Sequence, residues 1–78
     1  MAEFKDILSN IARAIVDSPD EVVVLETEEN GNVTLVLHVA PDDMGKVIGR
    51  HGKIARSIRS VMKAAGNTVN KKVSVEIQ

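Results

Sequence analysis

The chain has 78 residues, enough for one small domain, and we predict a single domain over residues 1–78. It contains no cysteine, which excludes a disulfide framework and a thiolate metal centre, and its 44% of hydrophobic residues suffices for a core without them. Residues 1–20 are too charged for a secretion signal, and no uninterrupted apolar run approaches ~18 residues. We therefore expect a protein without a membrane span that resides in the reducing cytoplasm.

The net charge of -1 conceals two halves of opposite sign. Residues 1–45 carry two basic and ten acidic groups, a net charge of -8, whereas residues 46–78 carry eight basic groups and one acid, a net charge of +7. A basic block of this kind creates a local positive potential that attracts an anionic partner. The alternative is that the two halves neutralise each other within the fold.

The first predicted element is an amphipathic helix at residues 3–16. Its apolar residues recur at spacings of three and four, which places on one buried stripe Phe4, Ile7, Leu8, Ile11 and Ile15. Proline disfavours helix at the residue before it, so Pro19 predicts the end of this helix.

A β-hairpin is predicted next. Residues 22–25 are rich in β-branched side chains, and residues 33–39 alternate between apolar and other side chains, so both segments read as strands. Asn30-Gly31 between them is typical of a type I′ turn, in which both central residues need positive φ. Pairing outward from this turn predicts an apolar patch on the open face of the sheet, formed by Val23, Leu25 and Val36.

Two helices and a third strand complete the predicted order. Pro41, Asp42 and Asp43 suit the start of a short helix, and Gly49 is placed to end it with a left-handed residue. The next helix is predicted over residues 53–65, with Gly66 as its cap, and residues 72–77 alternate as a strand.

The resulting order is α-β-β-α-α-β. Because the helix pair acts as a crossover, the third strand returns parallel to the second, whereas the hairpin strands are antiparallel. The predicted fold class is therefore α+β, with a three-stranded mixed sheet and the helices packed on one face.

The turn Gly49-Arg50-His51-Gly52, which we call the GRHG loop, is the most informative stretch. It precedes a helix N-terminus, whose free N–H groups and dipole favour a phosphate. Lys53 and Arg56 share a face of that helix, and Arg59 and Lys63 extend it as a basic stripe. Two glycines at this spacing are a weak signal alone, but their place between a hairpin and a basic helix favours phosphate binding.

The segment VIGRHGKIARSIR resembles the VIG-x-x-G-K/R-x-A-x-x-I-R signature of KH domains. The α-β-β-α-α-β order is similar to the bacterial type II arrangement, and the resemblance to small single-KH RNA-binding proteins of bacteria covers residues 3–77. It implies that about four unpaired nucleotides lie in a narrow cleft while the GRHG loop clamps their backbone. Such a protein would act as a post-transcriptional regulator or an RNA chaperone.

The resemblance also implies which residues touch RNA. The loop and its flanks would supply Ile48, Gly49, Arg50, His51, Gly52, Lys53, Ile54 and Arg56. The central strand would form a wall near Leu37 and Val39, and the variable loop at residues 66–71 would bring Lys71 and Lys72 to phosphates. His51 departs from the Lys, Arg or Gln that many relatives carry, and histidine is only partly charged near neutral pH.

The same resemblance implies protein partners. Homodimers, and heterodimers with a larger KH-containing RNA-binding protein, would form through the last helix near Val61 and Met62. An alternative is a protein–protein adaptor or dimerisation module with a weak or vestigial RNA site. A small hydrolase is a remote third reading, since the sequence has no nucleophile–base pair and no paired carboxylates placed for acid–base work. We therefore predict that the protein is not an enzyme and uses no cofactor or metal.

Overall fold

The computed structural model of this protein describes residues 3–78 and confirms the predicted α+β order. Three short 3₁₀ turns link the main elements, at Pro19–Glu21, Pro41–Asp43 and Arg50–Gly52. The helices and strands are α1 (Phe4–Ile15), β1 (Val23–Glu29), β2 (Asn32–His38), α2 (Met44–Ile48), α3 (Lys53–Asn67) and β3 (Lys72–Ile77).

The three strands form one sheet in the order β1-β2-β3. β1 runs antiparallel to β2, and β3 runs parallel to it, as the crossover predicts. Asn30 and Gly31 at the hairpin turn have φ values of 53° and 80°, so the positive-φ turn is present. The hairpin register pairs Leu25 with Val36, as predicted.

The core lies between the helices and one face of the sheet. The inward row of β2 is fully enclosed, and each such side chain stabilises the fold by about 1.5–3 kcal/mol relative to exposure. It packs with residues from all three helices, and the buried cluster includes Leu8, Ala12, Val33, Leu35, Leu37, Val47, Ile58 and Met62. On the other face of the sheet, Val23 and Leu25 are exposed, so the predicted apolar patch is present.

Asp43 has a different role from the one predicted. Its side chain makes no capping bond to α2 and is only 2% exposed. The carboxylate instead accepts hydrogen bonds from the backbone N–H groups of Asp17 (3.1 Å) and Ser18 (2.9 Å). Bonds to a charged acceptor contribute about 1.5–3 kcal/mol each, so this clamp ties the segment after α1 to the start of α2.

Gly66 does not end α3 as predicted. The helix continues to Asn67, and Gly66 is buried within it. A Cβ at this position would lie 2.6 Å from both the carbonyl oxygen of Lys71 and Cγ2 of Val73. The glycine is therefore required by close packing of the following turn, whose Lys71 N–H donates to the Gly66 carbonyl at 2.9 Å.

Within residues 3–78, no helix combines the length and the apolar character that crossing a membrane requires.

Candidate nucleic-acid interface

Gly49 ends α2 in a conformation that only glycine adopts readily. Its φ of 74° is positive as predicted, but its ψ of 175° is extended and not left-handed helical. Its N–H donates to the Gly45 carbonyl at 2.8 Å and closes the last turn of α2. A Cβ here would also come within 2.6 Å of Cγ1 of Ile54, so both conformation and space require glycine.

The rest of the GRHG loop turns its side chains outward. His51 (φ 57°, ψ 25°) and Gly52 (φ 74°, ψ 15°) are consecutive left-handed residues. A left-handed conformation costs a residue such as histidine about 1–2 kcal/mol, which the surrounding structure must offset. The side chains of Arg50 and His51 are exposed, and a Cβ at Gly52 would meet no atom within 4 Å. The loop therefore presents two basic side chains and an open stretch of backbone.

The N-terminus of α3 follows the loop without a side-chain cap. Gly52 occupies the N-cap position and offers no oxygen to the first turn of the helix. The first N–H groups of a helix have no partner within it, and the helix dipole places positive potential there. Lys53 and Arg56 are exposed on the first turns of the same helix. Backbone donors and cations therefore meet at one end of α3, which suits a phosphate.

The predicted basic residues differ in their partners. Lys46 lies 3.2 Å from the Asp17 carboxylate, and Lys71 Nζ lies 2.9 Å from Glu28 Oε2. No ion pair within residues 3–78 involves Arg50, Lys53 or Arg56. These three cations are the ones that the loop and the start of α3 make accessible to an anion.

A groove lies between α3 and β3, and its first residue on α3, Arg59, is three positions after Arg56. It encloses about 360 Å³ and is lined by Arg59, Ser60, Lys63, Val73, Ser74 and Val75. β3 lies at the edge of the sheet, and its Lys72 and Gln78 N–H groups donate toward the β2 side at 2.9 and 2.8 Å. Since peptide groups alternate along a strand, those of Val73, Val75 and Ile77 turn to the free edge.

Arg59 links the two walls of this groove, which we call the α3–β3 groove. Its Nε donates to the Val75 carbonyl at 3.2 Å, while the N–H of Val75 faces the same free edge. The sequence had marked Arg59 only as part of a basic stripe, and of β3 it had marked Lys72 but not the free edge. The signal that could have found this groove is the parallel crossover, which places the strand after α3 at an edge of the sheet.

The prediction that the central strand, β2, forms a wall of the RNA cleft is wrong. Leu37 is fully buried and Val39 is 8% exposed, because β2 is covered by the helices and flanked by strands on both sides. Ile48 and Ile54 are partly exposed beside the GRHG loop, so the structure brings these two to the predicted site. Of the two edge strands, β3 is the one that packs against α3.

Lys71 and Lys72 lie at the other end of α3. The helix has 15 residues, which at about 1.5 Å per residue places its two ends about 22 Å apart. Lys72 pairs with Asn32 in the sheet and is exposed on the open face, whereas Lys71 is held by Glu28. The structure therefore does not bring this pair of lysines to the GRHG loop.

The two residues predicted for a dimer contact differ in exposure. Val61 is 50% exposed on α3, whereas Met62 is fully buried in the core. Adjacent residues of a helix point about 100° apart, so one faces outward when the other faces the sheet. Met62 therefore supplies no contact surface in this fold, and only Val61 is placed to do so.

A G-x-x-G loop between the last two helices of an α-β-β-α-α-β domain, followed by a basic helix, defines a KH domain of the type II arrangement. Comparison with known proteins gives the same class. The family model described as KhpA/KhpB, KH domain, matches residues 5–77, so the chain belongs to that family.

Curated relatives match over nearly their whole length. The chain is 53% identical over 73 residues to the RNA-binding protein KhpA of Clostridium acetobutylicum, covering 94% of this chain and 97% of the relative. It is 42% identical over 77 residues to the RNA-binding protein KhpA of Aquifex aeolicus, covering 99% and 98%. The KhpA of Treponema pallidum is 41% identical over 73 residues, covering 94% and 91%. Neither the family description nor these names denote an enzyme.

Proposed function

We propose that this protein binds short single-stranded RNA segments, with the GRHG loop clamping the phosphate backbone. The observation that carries the proposal is the loop itself, where two positive-φ glycines turn Arg50 and His51 outward directly before an uncapped helix N-terminus. Three named relatives are RNA-binding proteins, which supports RNA as the anion. No carboxylate lies between Lys46 and Lys72, so this half of the chain does not repel a polyanion.

The α3–β3 groove extends the proposed site from phosphates to bases. The peptide groups on the free edge of β3 offer donors and acceptors of the kind that pair with base edges, and Arg59 adds a cation beside them. Only an unpaired strand exposes its base edges in this way, so the arrangement favours single-stranded RNA over a duplex. Ile48 and Ile54 provide apolar surface for the base nearest the loop. Phe4 is the only aromatic residue of the chain and lies on α1, so base stacking on rings has no part here.

The test compares the wild type with Arg50→Asp/His51→Asp, which keeps both glycines. Anisotropy of a fluorescent single-stranded RNA pool measures affinity at low and moderate salt. We expect the double variant to lose binding, because two basic side chains at the clamp become acidic. Arg13→Asp on α1, which is exposed and distant in sequence from the loop, is the matched control and should bind as the wild type does. Equal binding by all three proteins would refute the clamp.

The alternative function is that of a protein–protein adaptor. The observation that favours it is Val61, a half-exposed apolar residue on α3. The description of the family names KhpA and KhpB together, which is consistent with a partner that also has a KH domain. We place the contact of such a heterodimer, or of a homodimer, at Val61. Light scattering after size-exclusion chromatography should then show a dimer for the wild type and a monomer for Val61→Asp. RNA binding that survives in the monomer would separate the two functions.

A single small domain makes few contacts, so we expect its RNA binding to be weak and broadly tolerant of sequence. We infer that residues 1–78 form one domain that acts in the cytoplasm as a post-transcriptional regulator or an RNA chaperone. This role needs neither catalysis nor a cofactor. A dimer would raise the affinity through avidity, because two clamps would hold one RNA strand.

A further inference from the structure

A second cleft lies at the end of α3 that is remote from the GRHG loop. It encloses about 650 Å³ and is lined by Glu3, Phe4, Ile7, Glu26, Glu28, Ala65, Thr68, Val69 and Lys71. The 15 residues of α3 hold it about 22 Å from the loop. Of the RNA contacts expected from the sequence, only that of Lys71 would lie here, and Lys71 is paired with Glu28. We call this space the distal cleft.

The distal cleft exists because α1 covers only part of β1. The first turn of α1 is held to β1 by a hydrogen bond in which the Lys5 N–H donates to Oε1 of Glu26 at 3.1 Å. On the opposite side, the ion pair between Lys71 and Glu28 holds the turn after α3 against the end of β1. Glu26 and Glu28 are successive residues on the inner face of β1, and both line the cleft between these two contacts.

The lining of the distal cleft combines apolar walls with an acidic rim. Phe4 and Ile7 are partly buried, and Val69 is 44% exposed although it is apolar. Among residues 3–78, the lining has three carboxylates and one ammonium group, Lys71, which is paired with Glu28, so Glu3 and Glu26 give the rim an excess of negative charge. Such a rim repels the phosphates of RNA and attracts cations, while the apolar walls favour a ligand that also carries hydrophobic groups.

We propose that the distal cleft docks a short cationic, amphipathic segment of a partner protein. Apolar side chains of that segment fill the space between Phe4 and Val69, and its lysine or arginine side chains pair with Glu3 and Glu26. Ala65 lies one helical turn beyond Val61 on the same face of α3, so the distal cleft extends the surface on which a partner would already rest. Because the cleft and the GRHG loop are at opposite ends of α3, the protein can hold the partner segment and an RNA strand at once.

The experiment uses two synthetic peptides and nuclear magnetic resonance of the ¹⁵N-labelled full chain. One peptide has lysine and leucine at helical spacing, and the other has glutamate in place of each lysine. We expect the lysine peptide to shift the amide signals of Phe4, Ile7 and Val69 and to leave those of the GRHG loop in place. The glutamate peptide should shift none of them. A single-stranded oligonucleotide added afterwards should shift the loop signals with the lysine peptide still bound.

Matched variants connect binding to the distal cleft. Val69→Lys should weaken the lysine peptide about tenfold, because an apolar wall becomes a charge of the ligand's own sign. Val23→Lys is the control, since Val23 is 49% exposed on the open face of the sheet. Glu3→Lys tests the rim without altering an apolar contact and should also weaken binding. Circular dichroism verifies that each variant is folded.

Several outcomes would overturn the proposal. Equal binding of both peptides would show that the acidic rim does not discriminate between ligands by their charge. Shifts centred on Val61 that spare Phe4 and Val69 would place the partner on α3 alone. If the oligonucleotide shifts the same amide signals as the lysine peptide, the distal cleft belongs to the RNA surface. If Val69→Lys and Glu3→Lys both bind the lysine peptide with unchanged affinity, the distal cleft is not the peptide site.

Discussion

The two glycines of the GRHG loop are required for different physical reasons. Gly49 needs both its backbone conformation and the absence of a Cβ, since Ile54 fills the space beside it. Gly52 needs only its left-handed conformation, because a Cβ there would face solvent. The sequence predicted that both residues form the turn, but the packing of Ile54 against Gly49 depends on the path of the loop and could not be foreseen.

This difference predicts unequal costs of substitution. Gly49→Ala should lower the free energy of unfolding by about 2–5 kcal/mol, because strain and overlap with Ile54 add together. Gly52→Asn should lower it by less than about 1 kcal/mol, since asparagine tolerates the left-handed region. Urea denaturation of both variants measures the two values. Equal losses would mean that Ile54 moves aside without cost.

We also expect substitutions of Asp43 and of its neighbour Asp42 to differ in their effect on stability. Asp43→Asn should destabilise the fold by about 1–3 kcal/mol, because an amide has one oxygen to offer where the carboxylate accepts two N–H groups. Asp42 is exposed, so Asp42→Asn should change the stability by no more than about 0.5 kcal/mol. Thermal denaturation of the two variants measures both effects. A comparable loss of stability in both would mean that Asp43 contributes only its negative charge at the start of the helix. Sequence reasoning reached that simpler role because the partners of Asp43 are 25 and 26 residues away in the chain.

At the scale of elements, local patterns predicted almost every helix and strand. The hairpin and its register followed from Asn30-Gly31 and from alternation in β2, which are local signals. The end of α3 could not be predicted locally, because Gly66 is required by the close approach of the turn before β3 and not by the end of its own helix. The candidate site was likewise predictable only in part. The loop could be predicted from consecutive residues, whereas the free edge of β3 depends on how three strands are ordered.

Gly66 and Gly45 provide a matched test at this scale. Glycine is a poor helix former, so alanine at an unhindered helical position stabilises by about 0.5–1 kcal/mol. Gly45 is such a position, with no atom within 4 Å of a Cβ, and Gly45→Ala should raise the free energy of unfolding. Gly66→Ala should lower it by about 1–3 kcal/mol, because the new methyl group meets the Lys71 carbonyl. Chemical denaturation that shows a gain for both substitutions would mean that the turn after α3 yields easily.

At the scale of the whole molecule, the two halves of opposite charge are separated in space. On the same face of the sheet, α1 packs over β1 toward one edge and α3 packs over β3 toward the other. The acidic half of the sequence therefore becomes one side of the domain, and the basic half becomes the other. The sequence left open whether these halves neutralise each other. Within residues 3–78, the two ion pairs that cross between them involve only Lys46 and Lys71 among the basic residues of the second half.

This separation predicts how salt acts on RNA binding. Displacement of counterions from a single strand gives a slope of about -0.7 per phosphate contact in a plot of log affinity against log salt. Lys53→Ala and Arg56→Ala should each reduce the steepness of the slope by about 0.7 if each residue neutralises one phosphate. Lys46→Ala is the control, because Lys46 is already paired with Asp17. Anisotropy titrations across a range of salt concentrations measure the slopes, and an unchanged slope in all three variants would show that the bound RNA lies elsewhere.

The position of β3 in the chain has a consequence for when the protein can act. β3 supplies one wall of the α3–β3 groove and follows all the other helices and strands in chain order. Its partner β2 precedes both α2 and α3, so the two strands meet only after the whole segment between them has been made. A ribosome-bound chain that has not yet released residues 72–77 therefore cannot form the α3–β3 groove, because one of its two walls is missing. Under the proposed function, we expect the base contacts along β3 to form only after residues 72–77 have emerged from the ribosome, so a nascent chain without them should hold RNA less tightly than the folded domain.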